Sequence, residues 1–325
     1  MSLHWQSLER LRAIFLEGGG TGGDYWQNEA DLASYDATFA QRIGWKWDFV
    51  LGELEARGWR PPGGALLDWG CGSGIAARAF LDWFGAGSVT EAGFWDRSPL
   101  AMAFAAQKAA AKYPDLPVKT GTTGTATLVL LSHVLTELTP EQLESLADVL
   151  ARATAVIWVE PGTSDASRRL LGVRERWRGE FRIVAPCTHE GVCGLLAPGK
   201  EADWCHQFAP SPPGVFSDPF WGRFAQMTGV DLRSLPLSFL VLDRRPSPAL
   251  DPGTVRLLGR PRLFKSHATV HGCDAEGVAP CEVSRRKLPE VYARWRGGDC
   301  PSLQVWQRDG PQVVAVADAR SQAGG

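Results

Sequence analysis

Between Leu32 and Leu54 the apolar positions Leu32, Tyr35, Phe39, Ile43, Trp47, Val50, Leu51 and Leu54 recur every three or four residues. That spacing predicts a helix over 31–57. Ser7 to Leu16 has a similar amphipathic rhythm, and the run Gly18–Gly23 behind it reads as a flexible break. No strand precedes that run and no Lys-Ser/Thr follows it, so it is not a phosphate loop. The chain therefore opens with a helical region, residues 1–60, and Pro61-Pro-Gly-Gly64 punctuates its end.

Beyond that point strands and helices alternate. Ala65–Trp69, Ser88–Trp95, Thr127–Ser132 and Ala155–Glu160 are short apolar runs that predict buried strands. Ile75–Trp83, Leu100–Lys112 and Pro140–Arg152 have helical periodicity between them. The alternation predicts an α/β fold with a parallel, doubly wound sheet over residues 61–180. After about residue 180 the texture changes to Pro-rich stretches at Ala209–Pro213 and Arg245–Pro252 and to short strands such as Ser238–Asp243 and His267–Cys273. This predicts a cysteine-rich linker over 181–235, a small β-rich C-terminal domain over 236–315 and a frayed tail over 316–325.

With 325 residues the chain is long enough for two or three domains. No apolar run approaches a membrane span, and neither a secretory signal nor a mitochondrial presequence is visible, so the cytoplasm is the expected compartment. The net charge is −2, yet Arg233 to Arg296 holds twelve Lys/Arg against six Asp/Glu. That local excess points to an anionic partner for the C-terminal part, with nucleic acid foremost. Arg256, Arg260, Arg262 and Lys265, then Arg285, Arg286 and Lys287, carry most of it, and Phe264 and Trp295 offer rings for base stacking or for a core. Neither a membrane nor an obligate protein partner is expected.

Two groups of residues carry candidate chemistry. In Asp68-Trp-Gly70-Cys-Gly72-Ser-Gly74, the first two glycines allow a strained loop and close approach of a ligand, and Gly74 starts a helix close to the sheet. The spacing G-x-G-x-G differs from a dinucleotide fingerprint, and Asp68 before the loop would repel a pyrophosphate but suits a cationic amino-acid end. Asp96, ending the second strand, is placed to accept bonds from ribose hydroxyls. This region, roughly residues 60–165, resembles class I methyltransferases, which implies S-adenosylmethionine bound by Asp68, Gly70, Gly72, Gly74 and Asp96. The loop after the fourth strand, Ser132-His133-Val-Leu-Thr-Glu137, would face a methyl acceptor. It lacks the Asn/Asp-Pro-Pro-Tyr/Phe motif and any cysteine nucleophile. His133 and Glu160 are the candidate proton acceptors, with Glu160 also placed to cap the next helix.

The second group is Cys187, Cys193 and Cys205, three thiols within nineteen positions on a loop-like segment. A distant fourth donor, from Cys273, Cys281 or Cys300, would complete a four-coordinate site. Zinc with thiolates, or with one of His189, His206 and His271, and a four-cysteine iron–sulfur cluster all fit this spacing. The C-x3-C-x2-C pattern of radical enzymes is absent.

Taken together, Asp68–Gly74, Val159-Glu-Pro-Gly-Thr163, Pro186-Cys-Thr-His-Glu-Gly-Val-Cys193, Asp203-Trp-Cys-His206, Arg260-Pro-Arg and His267–Cys273 resemble a known family. It comprises the methyltransferase-like proteins that assist assembly of the mitochondrial small ribosomal subunit, with their bacterial relatives. The resemblance spans roughly residues 30–300 and implies a [4Fe–4S] cluster on Cys187, Cys193, Cys205 and Cys273, with small-subunit rRNA or a pre-ribosomal small subunit as partner. Gly194 departs from it, since Pro commonly follows the second cysteine. Two functions follow as expectations: methyl transfer to rRNA, or a non-catalytic assembly factor in which the methyl donor and the cluster are structural. A small-molecule methyltransferase with a zinc staple leaves the basic C-terminal surface unexplained.

Overall fold

The computed structural model describes residues 3–16, 24–121 and 125–319. The expected break at Gly18–Gly23 lies outside the described residues. In chain order the elements are α1 (Trp5–Leu16), α2 (Glu29–Asp36), α3 (Phe39–Ala56), β1 (Ala65–Trp69), α4 (Ile75–Phe84), β2 (Glu91–Trp95), α5 (Pro99–Lys112), β3 (Val118–Thr120) and β4 (Leu128–Ser132). Next come α6 (Pro140–Arg152), β5 (Ala155–Pro161), α7 (Ser164–Trp177), β6 (Arg182–Ala185), β7 (Gln207–Ala209), α8 (Pro219–Thr228) and β8 (Leu235–Asp243). The chain finishes with β9 (Thr254–Leu263), β10 (His267–Asp274), β11 (Gly277–Ser284), α9 (Pro289–Arg296), β12 (Leu303–Asp309) and β13 (Gln312–Asp318). They fall into two compact units, one of residues 1–52, 61–160 and 209–235, the other of 53–60, 161–208 and 236–325.

In the first unit five parallel strands stand in the order β3-β2-β1-β4-β5, with α4, α5 and α6 on the β1–β2, β2–β3 and β4–β5 connections. Strands that are buried on both faces need continuous apolar runs, and Leu66, Leu67, Leu128–Leu131 and Val156–Val159 supply them. This is the class I methyltransferase-type doubly wound sheet, with the expected N-terminal helical region. The helix expected over 31–57 is divided, because Thr38 turns its hydroxyl back to Ser34 O at 2.7 Å and α2 closes at Ala37. The stretch from Ala209, expected as a Pro-rich linker, leads into α8, which starts on an Asp218 cap with Pro219 in its first turn. Its Phe224 packs against Phe39 and its Trp221 against Trp45, with ring centroids 5.1 and 4.9 Å apart.

In the second unit β8 runs antiparallel to β6, Arg182 opposite Asp243. Ser238–Asp243 was expected among the strands of the β-rich C-terminal domain; its nearly fully buried sequence suits this pairing instead. The β-rich part is a closed five-stranded barrel in the order β10-β11-β13-β12-β9. Within it β11 and β13 are parallel and the other pairs antiparallel. Val255, Leu257, Val270, Val283 and Trp306 fill it, and α9 adds Tyr292 and Trp295. Trp295 is thus a core residue, unavailable for stacking on a base. Arg256, counted above among phosphate-neutralising cations, is 1% exposed and paired with Glu53, with bonds to Pro186 O and Ser302 Oγ at 2.9 Å. The tail expected to fray at Val316 is strand β13 as far as Asp318. Among the described residues no helix is long and apolar enough to cross a membrane.

Candidate functional site

β1 carries Asp68 to its C-terminal end, and the chain then turns through three left-handed glycines, with φ of 72°, 50° and 77° at Gly70, Gly72 and Gly74. Gly70 N and Cys71 N donate to Trp95 O at 2.7 and 3.0 Å, which folds the loop onto the end of β2. A Cβ at Gly70 would stand 2.4 Å from Val134 Cγ1, and one at Gly74 2.8 Å from Ala105 Cβ. Those two glycines serve close packing, as expected of Gly74. A Cβ at Gly72 would meet nothing, so its backbone faces open space that a ligand can fill.

Asp68 is fully buried. Its Oδ2 accepts from Ala77 N at 3.1 Å, Oδ1 has no partner, and burial pushes the carboxyl up to about 7. At the end of β2, Asp96 Oδ2 accepts from Gly72 N and Oδ1 from Ser98 N, both at 2.9 Å. Each oxygen keeps a lone pair for a further donor. Burial raises this carboxyl too.

His133 is the one non-glycine residue at positive φ (56°) among the described residues. Its Nε2 lies 3.1 Å from Lys46 Nζ on α3, and its Nδ1 3.4 Å from Ser132 Oγ, which Trp47 Nε1 also bonds at 3.0 Å. Withdrawal from water, then Lys46 and Arg42, hold the imidazole well below its usual pKa. Burial and Arg42 bring Lys46 down to about 7. The neutral imidazole accepts at Nε2 from the amine, so that nitrogen is engaged. Glu160 Oε1 accepts three bonds, from Val134 N and Leu135 N at 3.0 Å and from Trp158 Nε1 at 2.7 Å. Its Oε2 has no partner, and burial raises the carboxyl to about 7. The cap of α7 comes from Thr163, whose hydroxyl accepts from Ala166 N at 3.3 Å, and not from Glu160.

Sequence reasoning missed Lys46, and it placed Glu137 in the acceptor-facing loop without giving it a role. Lys46 follows the apolar Ile43 and precedes Trp47 on α3, and a lone lysine beside an apolar stripe was the available signal. Glu137 is raised to about 7 by burial, against the pull of Arg97 3.7 Å away, and also feels Asp96 and Glu160. The ends of β1, β2 and β5 and the loop after β4 thus gather Asp68, Asp96, Glu160 and Glu137. Such a group of carboxyls favours a cationic ligand.

The second unit holds the cysteine site. Arg57 donates to the carbonyls of Val184, Pro186 and Cys187 at 2.6, 2.9 and 3.0 Å, fixing the start of the segment. Arg174 donates from Nε to Cys187 Sγ at 3.2 Å and from Nη2 to Gly191 O at 2.9 Å. Ser167 and Ser238 hydroxyls both donate to Cys205 O at 2.7 Å. Cys193 and Cys273 share a buried cluster with Leu258 and Val278, and Cys205 packs against it. Burial and then the neighbouring Cys187 raise the Cys205 thiol, and the same causes push Cys273 up to about 12. The four thiols therefore sense one another. Among the described residues no three His, Cys, Asp or Glu side chains converge closely enough to hold a single metal ion. Cys281 and Cys300 belong to the separate barrel core. His206 is stacked on Trp204, centroids 4.8 Å apart, and His271 Nε2 stands 3.9 Å from Asp203. Gly194 has a physical reason: a Cβ there would lie 2.8 Å from the Gly277 backbone.

The family described as mitochondrial small ribosomal subunit Rsm22 matches residues 55–294. No curated protein matches the chain. Among solved structures, the magnesium protoporphyrin IX methyltransferase of Synechocystis PCC 6803, with bound S-adenosylhomocysteine, is similar at 14% identity and a TM-score of 0.41, over 74% of this chain and 94% of that one. TrmK of M. capricolum, in complex with the same cofactor product, is similar at 10% identity and a TM-score of 0.34, over 61% and 69%.

Proposed function

The chain belongs to the Rsm22 family of the mitochondrial small ribosomal subunit, and from that premise we propose that it is a methyltransferase-like factor that binds S-adenosylmethionine and docks on small-subunit rRNA. One observation carries the cofactor reading. Asp68 is a fully buried carboxylate with an unpartnered oxygen, under a loop whose Gly72 leaves the backbone bare. Asp68 Oδ1 would accept from the ammonium of the methionine end, and the free lone pairs of Asp96 from ribose hydroxyls. When bound, the donor supplies a methyl group on a sulfonium. The chain's part is to hold that group still and to exclude water. Equilibrium binding of S-adenosylhomocysteine to the full chain tests the site; no binding would defeat it.

Assembly without catalysis is the first reading, because His133 is engaged by Lys46 and Glu160 Oε1 is saturated by three donors. Methyl transfer is the second reading. It is favoured by Glu160 Oε2 and Glu137, carboxyls held near 7 that can take up a proton at neutral pH. Incorporation of label from methyl-labelled donor into immature small subunits separates the two.

Cys187, Cys193, Cys205 and Cys273 are the residues that would hold a [4Fe–4S] cluster. The donor chemistry fits: four thiols that feel one another, with Arg174 donating to Cys187 Sγ. A single zinc needs its thiolates to meet about 2.3 Å from one point, whereas a cluster takes each thiolate on a different iron and keeps the donors farther apart. When bound, the cluster would cross-link segment 187–205 to β10, which makes its role structural. The family description names the mitochondrion and the sequence pointed to the cytoplasm; the proposal requires a reducing compartment that contains small ribosomal subunits.

A further inference from the structure

The barrel formed by β9 to β13 has a recognisable topology. Each strand from β9 to β11 pairs with the next, β11 then pairs in parallel with β13, β13 with β12, and β12 closes on β9. The helix α9 sits between the third and fourth of these strands. A five-stranded Greek-key barrel with that closure is the oligonucleotide/oligosaccharide-binding type, which takes its ligand on the face of its second and third strands and on the loop between the first and second. Here that loop is the tight turn Lys265–Ser266, closed by Phe264 N donating to His267 O at 2.8 Å.

The residues at that turn suit a single-stranded nucleic acid. Phe264 is 47% exposed and lies flat on His267, centroids 4.7 Å apart and planes within 13°. A large ring kept in water, with one face backed by an imidazole, presents the other to a base. Arg262 stands opposite Thr269 in the β9–β10 register, and Lys265, Arg285, Arg286 and Lys287 are exposed beside the turn. Arg285 ties the groups together, donating from its backbone to Ser266 O and from its side chain to Lys265 O. Arg262, Lys265, Arg286 and Lys287 make no ion pair among the described residues. At the opposite end of β10 Arg308 is paired with Asp274 and Glu276, so that end has no surplus of cations. Across the face Glu282 lies opposite Thr269 on β11, so the phosphate path runs on the β9 side.

We propose that this barrel binds a single-stranded RNA segment at the β9–β10 turn, with Phe264 as the base-stacking platform and Arg262, Lys265, Arg286 and Lys287 along the phosphates. The inference rests on the rRNA-docking reading and names the part of the chain and the form of RNA. Stacking is indifferent to sequence because every base has a flat face, while cations on the sheet release counterions from the backbone. A duplex buries its base faces and leaves Phe264 without a partner, so unpaired RNA is selected.

The test uses the full chain and a fluorescein-labelled oligouridine, with a duplex RNA of equal length as comparison. Fluorescence anisotropy should show tighter binding of the single strand, weakening with salt. Phe264→Ala should weaken it roughly fivefold or more. The double variant Arg262→Glu with Lys265→Glu should weaken it further and flatten the salt dependence. These side chains are exposed, and unchanged thermal unfolding would show that the variants fold. Equal affinity of wild type and both variants, preference for the duplex, or displacement by a neutral oligosaccharide would overturn the proposal. Cosedimentation with small ribosomal subunits is read separately. If it fails while oligouridine binds, the ribosomal reading falls and the barrel site stands. If it succeeds with oligouridine binding insensitive to the variants, the barrel site falls and the ribosomal reading stands.

Discussion

Lys46 Nζ stands 3.1 Å from His133 Nε2, and this contact joins α3 to the loop that follows β4. Both groups are drawn away from water, so neither holds its usual charge firmly: Lys46 is lowered to about 7 and His133 well below its ordinary value. His133 therefore shapes the loop through its left-handed backbone and its acceptor nitrogen. Its neighbour Val134 is the residue whose side chain excludes a Cβ at Gly70. A change at His133 should therefore reach the glycine loop through Val134.

His133→Asn should cost less than about 1 kcal/mol, because asparagine enters the left-handed region readily. His133→Val should cost about 2–3 kcal/mol, since a β-branched side chain is strained there. Urea unfolding measures both, and equal losses would refute a conformational role for φ 56°.

If Asp68 holds the ammonium as proposed, cofactor binding should depend on pH. Its carboxyl is at about 7 in the folded chain against an ordinary value of about 3.9. Ionisation thus favours the unfolded chain, and the stability this group contributes is lost as pH rises through that window. A cationic ammonium prefers the carboxylate, so affinity for S-adenosylhomocysteine should rise from pH ~6 to ~8. Asp68→Asn should lower affinity about tenfold or more at the upper pH and remove much of the slope. Calorimetry across that range decides; a variant with the wild-type slope would clear Asp68 of the role.

The glycine loop was legible because its causes are local: positive φ and close approach at Gly70 and Gly74 leave their mark in the sequence itself. Helix α6 was equally legible, since Thr139, Pro140 and Gln142 form a capping box with proline in the first turn. Lys46 was not legible as a partner of His133, because that contact closes over 87 positions. The same holds for Arg256, whose carboxylate partner Glu53 lies 203 positions away, so a buried ion pair was counted as surface charge. Helix α8 was hidden by its prolines, which mark a linker and a helix start alike until Asp218 is seen capping Phe220 N.

Glu160 should be more important as an acceptor than as a charge. Glu160→Ala leaves Val134 N, Leu135 N and Trp158 Nε1 without their partner and should cost about 3–5 kcal/mol. Glu160→Gln keeps an acceptor oxygen and should cost about 1 kcal/mol or less near neutral pH. The carboxyl is raised to about 7 in the folded chain, so wild type should lose stability relative to the glutamine variant as pH climbs from ~5 to ~8. Denaturant midpoints at several pH values measure this, and parallel curves would show that Glu160 stays ionised when folded.

The cysteine site yields a prediction that divides six of the seven thiols. Protein purified anaerobically should be brown and hold about four irons per chain. Serine at Cys187, Cys193, Cys205 or Cys273 should each lower the iron content and bleach the colour, because each removes one thiolate from a buried site that Arg174 helps to balance. Serine at Cys281 or Cys300 should leave iron unchanged, since both pack in the barrel core with Trp295 and Trp306. Iron analysis and visible spectra of the six variants separate the two sets. A colourless wild type with one zinc would replace the cluster by a single ion. Iron lost equally in all six would mean that the substitutions act through folding and that the thiols do not ligate it.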